Sequence, residues 1–120
     1  MILNDIQAKL QELDPETYYG AYDYANKTDV VFNYTVFDRS KLSRNENRTG
    51  YSEYFNVHIV RENFIPEGLV IDYIHKMEEI PGVRFAGNDC EFVYTTKPST
   101  STVIEMATLV FVRSVKGVRI

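Results

Sequence analysis

Few side chains in this sequence could do covalent or metal chemistry: His58, His75, Cys90 and the adjacent carboxylates Glu78 and Glu79. A zinc-type centre needs several His, Cys or carboxylate ligands converging on one point. His58 falls mid-strand beside Asn56, while His75 has only Asp72 and Glu79 near it at helical spacing. Such charges are ordinary on a surface helix, so neither histidine is expected to bind metal or act in catalysis. Cys90 has no CxxC partner, and its strand-like surroundings predict a buried, inert thiol. Glu78 and Glu79 would point about 100° apart on a helix, so they cannot share an acid–base site. Phosphate-loop, dinucleotide and nucleophile-elbow signatures are missing. The sequence therefore predicts no catalytic residues, no cofactor and no metal, with a small soluble binding domain or an enzyme using His58 in a cleft as the distant alternative.

What remains is charge held out on loops. Asp38-Arg-Ser-Lys-Leu-Ser-Arg-Asn-Glu-Asn-Arg-Thr-Gly50 is nearly free of apolar side chains and carries Arg39, Lys41, Arg44 and Arg48. It is too long for a tight hairpin, and unstructured loops of this length are usually functional or disordered. One reading is a solvated flap. The sharper one is an assembly arm whose arginines find carboxylates on a neighbour with bidentate geometry. A second polar, proline-bearing stretch, Lys97 to Thr102, predicts another projecting loop, with Lys97 and Thr100 as candidate contacts.

The elements that must hold these loops follow from periodicity. Ile2 or Leu3, Ile6, Leu10 and Leu13 make a helical stripe, ended by Asp14-Pro15. Thr17 to Tyr24 reads as a short or bulged strand interrupted at Gly20, with a turn at Ala25–Thr28. Asp29 to Phe37 and Glu53 to Val60 read as strands flanking the basic loop, both faces apolar enough to suggest burial against another subunit. A second helix is expected from Pro66 to about Glu79, with Val70, Tyr73, Ile74, Met77 and Ile80 buried and Pro81-Gly82 ending it. Val83–Phe85, Cys90–Thr95 and Val103–Arg113 complete the strands, and 114–120 is expected to be a flexible tail. The order predicts one α+β domain over 1–120: a mixed, mostly antiparallel β-sheet, two α-helices packed on one face, and a long projecting β-hairpin loop at 38–50.

Composition sets the class. A chain of 120 residues with 44% hydrophobic content can bury a core without staples. A single cysteine excludes an internal disulfide. No run is long and apolar enough for a membrane span, and the first residues lack a basic leader, so a soluble chain in a reducing cytoplasm is expected. The net charge of −4 is uneven: residues 1–29 carry two lysines against six acids, whereas 38–50 carry four cations against two acids. An acidic body with basic extremities argues against a general nucleic-acid binder and permits attraction between copies.

Ile59-Val-Arg-Glu-Asn-Phe-Ile-Pro-Glu-Gly68, Met77-Glu-Glu-Ile-Pro-Gly-Val-Arg84 and Tyr94-Thr-Thr-Lys-Pro-Ser-Thr-Ser-Thr-Val-Ile-Glu-Met106 resemble segments of the small neck and tail-completion proteins of long-tailed bacteriophages. Within that group the chain is most similar to tail terminators, over most of its length from Tyr18-Tyr19-Gly20 onward. The resemblance implies a homo-oligomeric ring, usually a hexamer, in the virion neck, assembled in the host cytoplasm. Such a ring caps the tail tube, stops its polymerisation and offers the surface that docks on the head. Its partners would be other copies of itself, the tail tube protein and the head-tail connector protein. DNA would meet it only in passage through the lumen, and no membrane is involved. The resemblance also implies the 39–48 loop as an arm toward tube or neighbour and 97–102 as a rim loop. A head-tail stopper or adaptor of the same neck is the alternative.

Overall fold

The computed structural model describes residues 1–22, 31–44 and 50–116. Helix α1 (Ile2–Gln11) buries Ile6 and Leu10, which share a face because they are four residues apart. Strand β1 (Thr17–Tyr19) stops at Gly20, whose φ of 85° lies in the left-handed region that glycine adopts without strain. The remainder of the expected Thr17–Tyr24 strand and the Ala25–Thr28 turn lie outside the described residues from position 23 onward. Next come β2 (Tyr34–Arg44), β3 (Gly50–Glu62), helix α2 (Leu69–Glu78), β4 (Val83–Phe85), β5 (Phe92–Thr96) and β6 (Val103–Lys116).

These strands form one six-stranded sheet in the order β1-β2-β3-β6-β4, with β5 also paired to β6. Only the β1–β2 pair is parallel. The spine is the β3–β6 pair, in register from Gly50↔Lys116 to Glu62↔Ile104. Alternation along the strands sends Phe37, Phe55, Val57, Ile59, Leu109 and Phe111 to one face, where they meet Ile6 and Leu10 of α1 and Tyr73 and Met77 of α2. Each such side chain contributes about 1.5–3 kcal/mol on burial, so the helix-covered face holds the fold. On the opposite face the described residues form a smaller buried cluster of Phe32, Val60 and Ile104, with Val36 and Val112 also buried. The fold is thus α+β, a mostly antiparallel sheet with both helices on one side.

Polar groups inside this core are satisfied by one another. The Thr35 hydroxyl donates to Asp14 Oδ2 at 2.8 Å and lies 2.6 Å from the Tyr73 hydroxyl. Arg61 Nη2 lies 3.1 Å from Asp14 Oδ2, and its Nη1 donates to the carbonyls of Tyr34 and Val60. The network joins the end of α1, β2, β3 and α2. Outside the core, Lys9–Glu79 (2.9 Å) and Lys76–Glu12 (3.0 Å) tie the two helices together.

Several expectations are corrected. The first long strand starts at Tyr34 rather than Asp29, and it continues to Arg44, so Asp38–Arg44 is paired strand and not loop. Polarity misleads here because β3 presents a full ladder of backbone partners, and a strand exposed on both faces needs no apolar alternation. Residues 45–49, which include the expected contact residue Arg48, lie outside the described residues. Helix α2 starts at Leu69, three residues after Pro66, because Gly68 at φ 85° sits in the left-handed region and interrupts the helical path. Strand β6 reaches Lys116, so 114–116 belong to the sheet and not to a tail; 117–120 lie outside the described residues. Cys90 precedes β5 instead of lying in it and is half-buried.

Candidate assembly surface

Beyond Phe55 and Phe111 the sheet leaves its helices behind. There β2, β3 and β6 run on as an arm made of 39–44, 50–54 and 112–116, with β4 still paired to β6 at its base as far as Val83↔Arg113. The molecule is correspondingly long, 51 × 29 × 23 Å. Its radius of gyration of 15.8 Å exceeds the roughly 13.6 Å of a compact chain this size.

The register sets where the arm's cations point. Arg39 pairs with Phe55, but Lys41 pairs with Tyr54, so Ser40 is the extra residue of a β-bulge. Arg39 therefore lies on the helix side, opposite a core residue, while Lys41 lies on the open side with Tyr54. Lys41 Nζ sits 4.7 Å from the centre of the Tyr54 ring, and the Arg44 guanidinium 5.9 Å from that of Tyr51. Aromatic faces hold such cations by about 0.5–1 kcal/mol each when exposed, so the charges are ordered without being neutralised. Among the described residues Arg39, Lys41 and Arg44 form no ion pair with a carboxylate. The arm's one internal bridge is Arg113 to Glu53, 2.9 Å. Leu42, 61% exposed, adds an apolar contact point between the cations.

Lys97 and Thr100 are not brought to this arm. They lie in the β5–β6 turn, at the opposite end of β6. Lys97 Nζ is bound to Glu62 at 2.9 Å, which holds that carboxyl below its usual range. The Thr100 hydroxyl donates to the Lys97 carbonyl at 2.9 Å and accepts the Thr102 N–H at 3.2 Å. Thr100 thus shapes the turn.

One constellation was not visible in sequence. On the open face His58 Nε2 lies 2.9 Å from Asp38 Oδ2, and Nδ1 lies 2.9 Å from the Thr108 hydroxyl. Asn56 donates to the other Asp38 oxygen at 2.9 Å. A carboxylate only accepts, so Nε2 donates to it and, in the neutral ring, Nδ1 accepts from Thr108. His58 and Thr108 also line a mainly apolar groove of about 380 Å³ with Tyr34, Val36, Val60 and Met106. These residues come from three strands, with His58 and Thr108 fifty positions apart, so only the register unites them. Among the described residues no group of three His, Cys, Asp or Glu is placed to hold a metal. Burial raises the Cys90 thiol, with the Asp89 charge adding to it.

The chain matches no protein-family model and no curated protein sequence.

Proposed function

We propose that the chain is a structural assembly subunit, a phage tail terminator that forms a ring on the tail tube, ends tube polymerisation and presents the head-docking surface. The observation carrying this reading is the basic β-arm, whose Arg39, Lys41 and Arg44 find no carboxylate among the described residues. The complement lies elsewhere on the same molecule: among the described residues Asp5, Glu67 and Asp72 have no cation partner. An arm reaching Asp5, Glu67 or Asp72 of the next copy gains charge-assisted hydrogen bonds with geometric register. The contact is heterologous, arm to body, and such contacts close into rings when the rotation permits. A net charge of −4 suits a ring through which DNA passes without being held. The choice of terminator over a stopper or adaptor of the same neck rests on the segment resemblance alone.

The test is the triple variant Arg39→Glu, Lys41→Glu, Arg44→Glu in the phage. Overlong tails with filled heads support the terminator. Normal tails beside leaking heads support the stopper, and normal virions remove the arm from assembly.

A second reading is favoured by the Asp38–His58–Thr108 chain, the order in which an imidazole can take a hydroxyl proton. Turnover of an activated ester that disappears in both His58→Ala and Thr108→Val would support it; turnover unchanged by both would remove it.

A further inference from the structure

The three outer strands of the sheet end differently. On β1 the Thr17 carbonyl accepts from Gln7 Nε2 of α1 at 2.9 Å. On β4 the Phe85 N–H donates to Glu78 Oε2 at 3.0 Å, and the Val83 N–H donates to the Ile80 carbonyl at 3.0 Å. Among the described residues strand β5 has no such cover. Its pairing with β6 includes the Lys97 N–H to Thr102 carbonyl bond, 2.9 Å, at the turn end. Hydrogen-bonded and non-hydrogen-bonded pairs alternate along an antiparallel ladder. Thr95 and Val93 therefore face β6, and Phe92, Tyr94 and Thr96 turn their N–H and C=O groups outward. Those outward groups have no partner among the described residues. Phe92, Val93 and Tyr94 are 46%, 57% and 60% exposed. The strand has no proline, glycine, lysine or bulge to protect it, the usual devices that keep an edge from pairing.

We propose that β5 is a self-pairing edge, and that two copies join β5 to β5 antiparallel about a twofold axis at Tyr94, continuing the sheet from one subunit into the next. The register is dictated by the outward groups. Centring on Tyr94 places Tyr94 opposite its counterpart and Phe92 opposite Thr96 of the second copy, so every outward residue enters a hydrogen-bonded pair. The same register sets Glu91 opposite Lys97 of the second copy at both ends; Glu91 has no cation partner among the described residues, and Lys97, which also holds Glu62, would bridge the two carboxylates. Val93 then faces Thr95 across the axis, a β-branched pair suited to a sheet. Shifting by one residue would oppose outward-facing to inward-facing groups and lose the bonds. The contact is isologous and closes at two copies, so it is separate from the arm contact that would build a ring.

Sedimentation of the full chain from micromolar to millimolar concentration tests this, together with amide exchange. The wild type is expected to pass from monomer to dimer. The amides of Phe92, Tyr94 and Thr96 should become protected as it does so, while those of Val93 and Thr95 are protected throughout. Tyr94→Pro removes only an outward N–H and leaves the β6 pairing intact. Tyr94→Lys opposes two like charges on the axis. Each should weaken dimerisation about tenfold or more with an unchanged circular dichroism spectrum. A wild type that stays monomeric overturns the proposal, and in that case protection of the same amides by an added strand-forming peptide would assign the edge to a foreign chain. A dimer indifferent to both substitutions also overturns it.

Discussion

Arg61 and Asp14 show how single residues fix this molecule. Their side chains are 13% and 8% exposed, and they sit where α1, β2, β3 and α2 meet. Removing one partner of a buried pair strands the other charge, which typically costs about 3–5 kcal/mol. Arg61→Met is expected to lower unfolding free energy by about 3 kcal/mol in urea denaturation, far more than any substitution on the arm. The tyrosines give a pH signature. Burial raises the Tyr73 hydroxyl above its ordinary value of 10.0, and the hydrogen bond to Glu16 pushes Tyr18 up to about 12. A group whose folded pKa is raised contributes stability that is whole below the unfolded value and is lost as pH rises through the folded one. Stability should therefore fall between pH 10 and about 12, and Tyr73→Phe should make that fall shallower in melts across the range. At this scale the sequence was partly legible. Tyr73 reads as core from its helical spacing, whereas Asp14 reads only as a helix stop, because its partners lie 21 and 47 residues away on Thr35 and Arg61.

At the scale of elements, α2, β4 and the β5–β6 hairpin were readable because proline, glycine and strict periodicity mark them. The arm was not. Arg39 to Arg44 carries no apolar alternation, and its strand conformation comes from pairing with β3, from Arg39↔Phe55 to Arg44↔Tyr51. The Ser40 bulge was equally invisible, since nothing but the register reveals the unpaired residue. Because Arg39, Lys41 and Arg44 are exposed, with Lys41 over Tyr54 and Arg44 over Tyr51, their replacement should hardly affect the fold. The triple glutamate variant is expected to stay within about 1 kcal/mol of wild type in thermal melts while losing assembly. At the other end of β6, Thr100→Ala removes both side-chain bonds of the turn. It should destabilise by about 1 kcal/mol and leave arm-driven assembly intact, as judged by melts and native mass.

The whole molecule is a helix-backed sheet that narrows into a charged arm, with an open face and one unguarded edge. The chemistry-bearing residues that looked isolated in sequence divide on folding. Cys90 and His75 stay apart from any cluster, while His58 joins Asp38 and Thr108 on the open face. Arm, open-face triad and β5 edge are tested by different substitutions, so each reading can fail without the others. The central claim concerns the arm. Native mass spectrometry of the full chain, mixed with tail tube protein, measures it most directly for the wild type and for Arg39→Glu, Lys41→Glu, Arg44→Glu. A closed ring on the tube protein for the wild type, absent in the correctly folded variant, is the expected result. The same complexes formed equally by both, or no ring by either, would contradict the account.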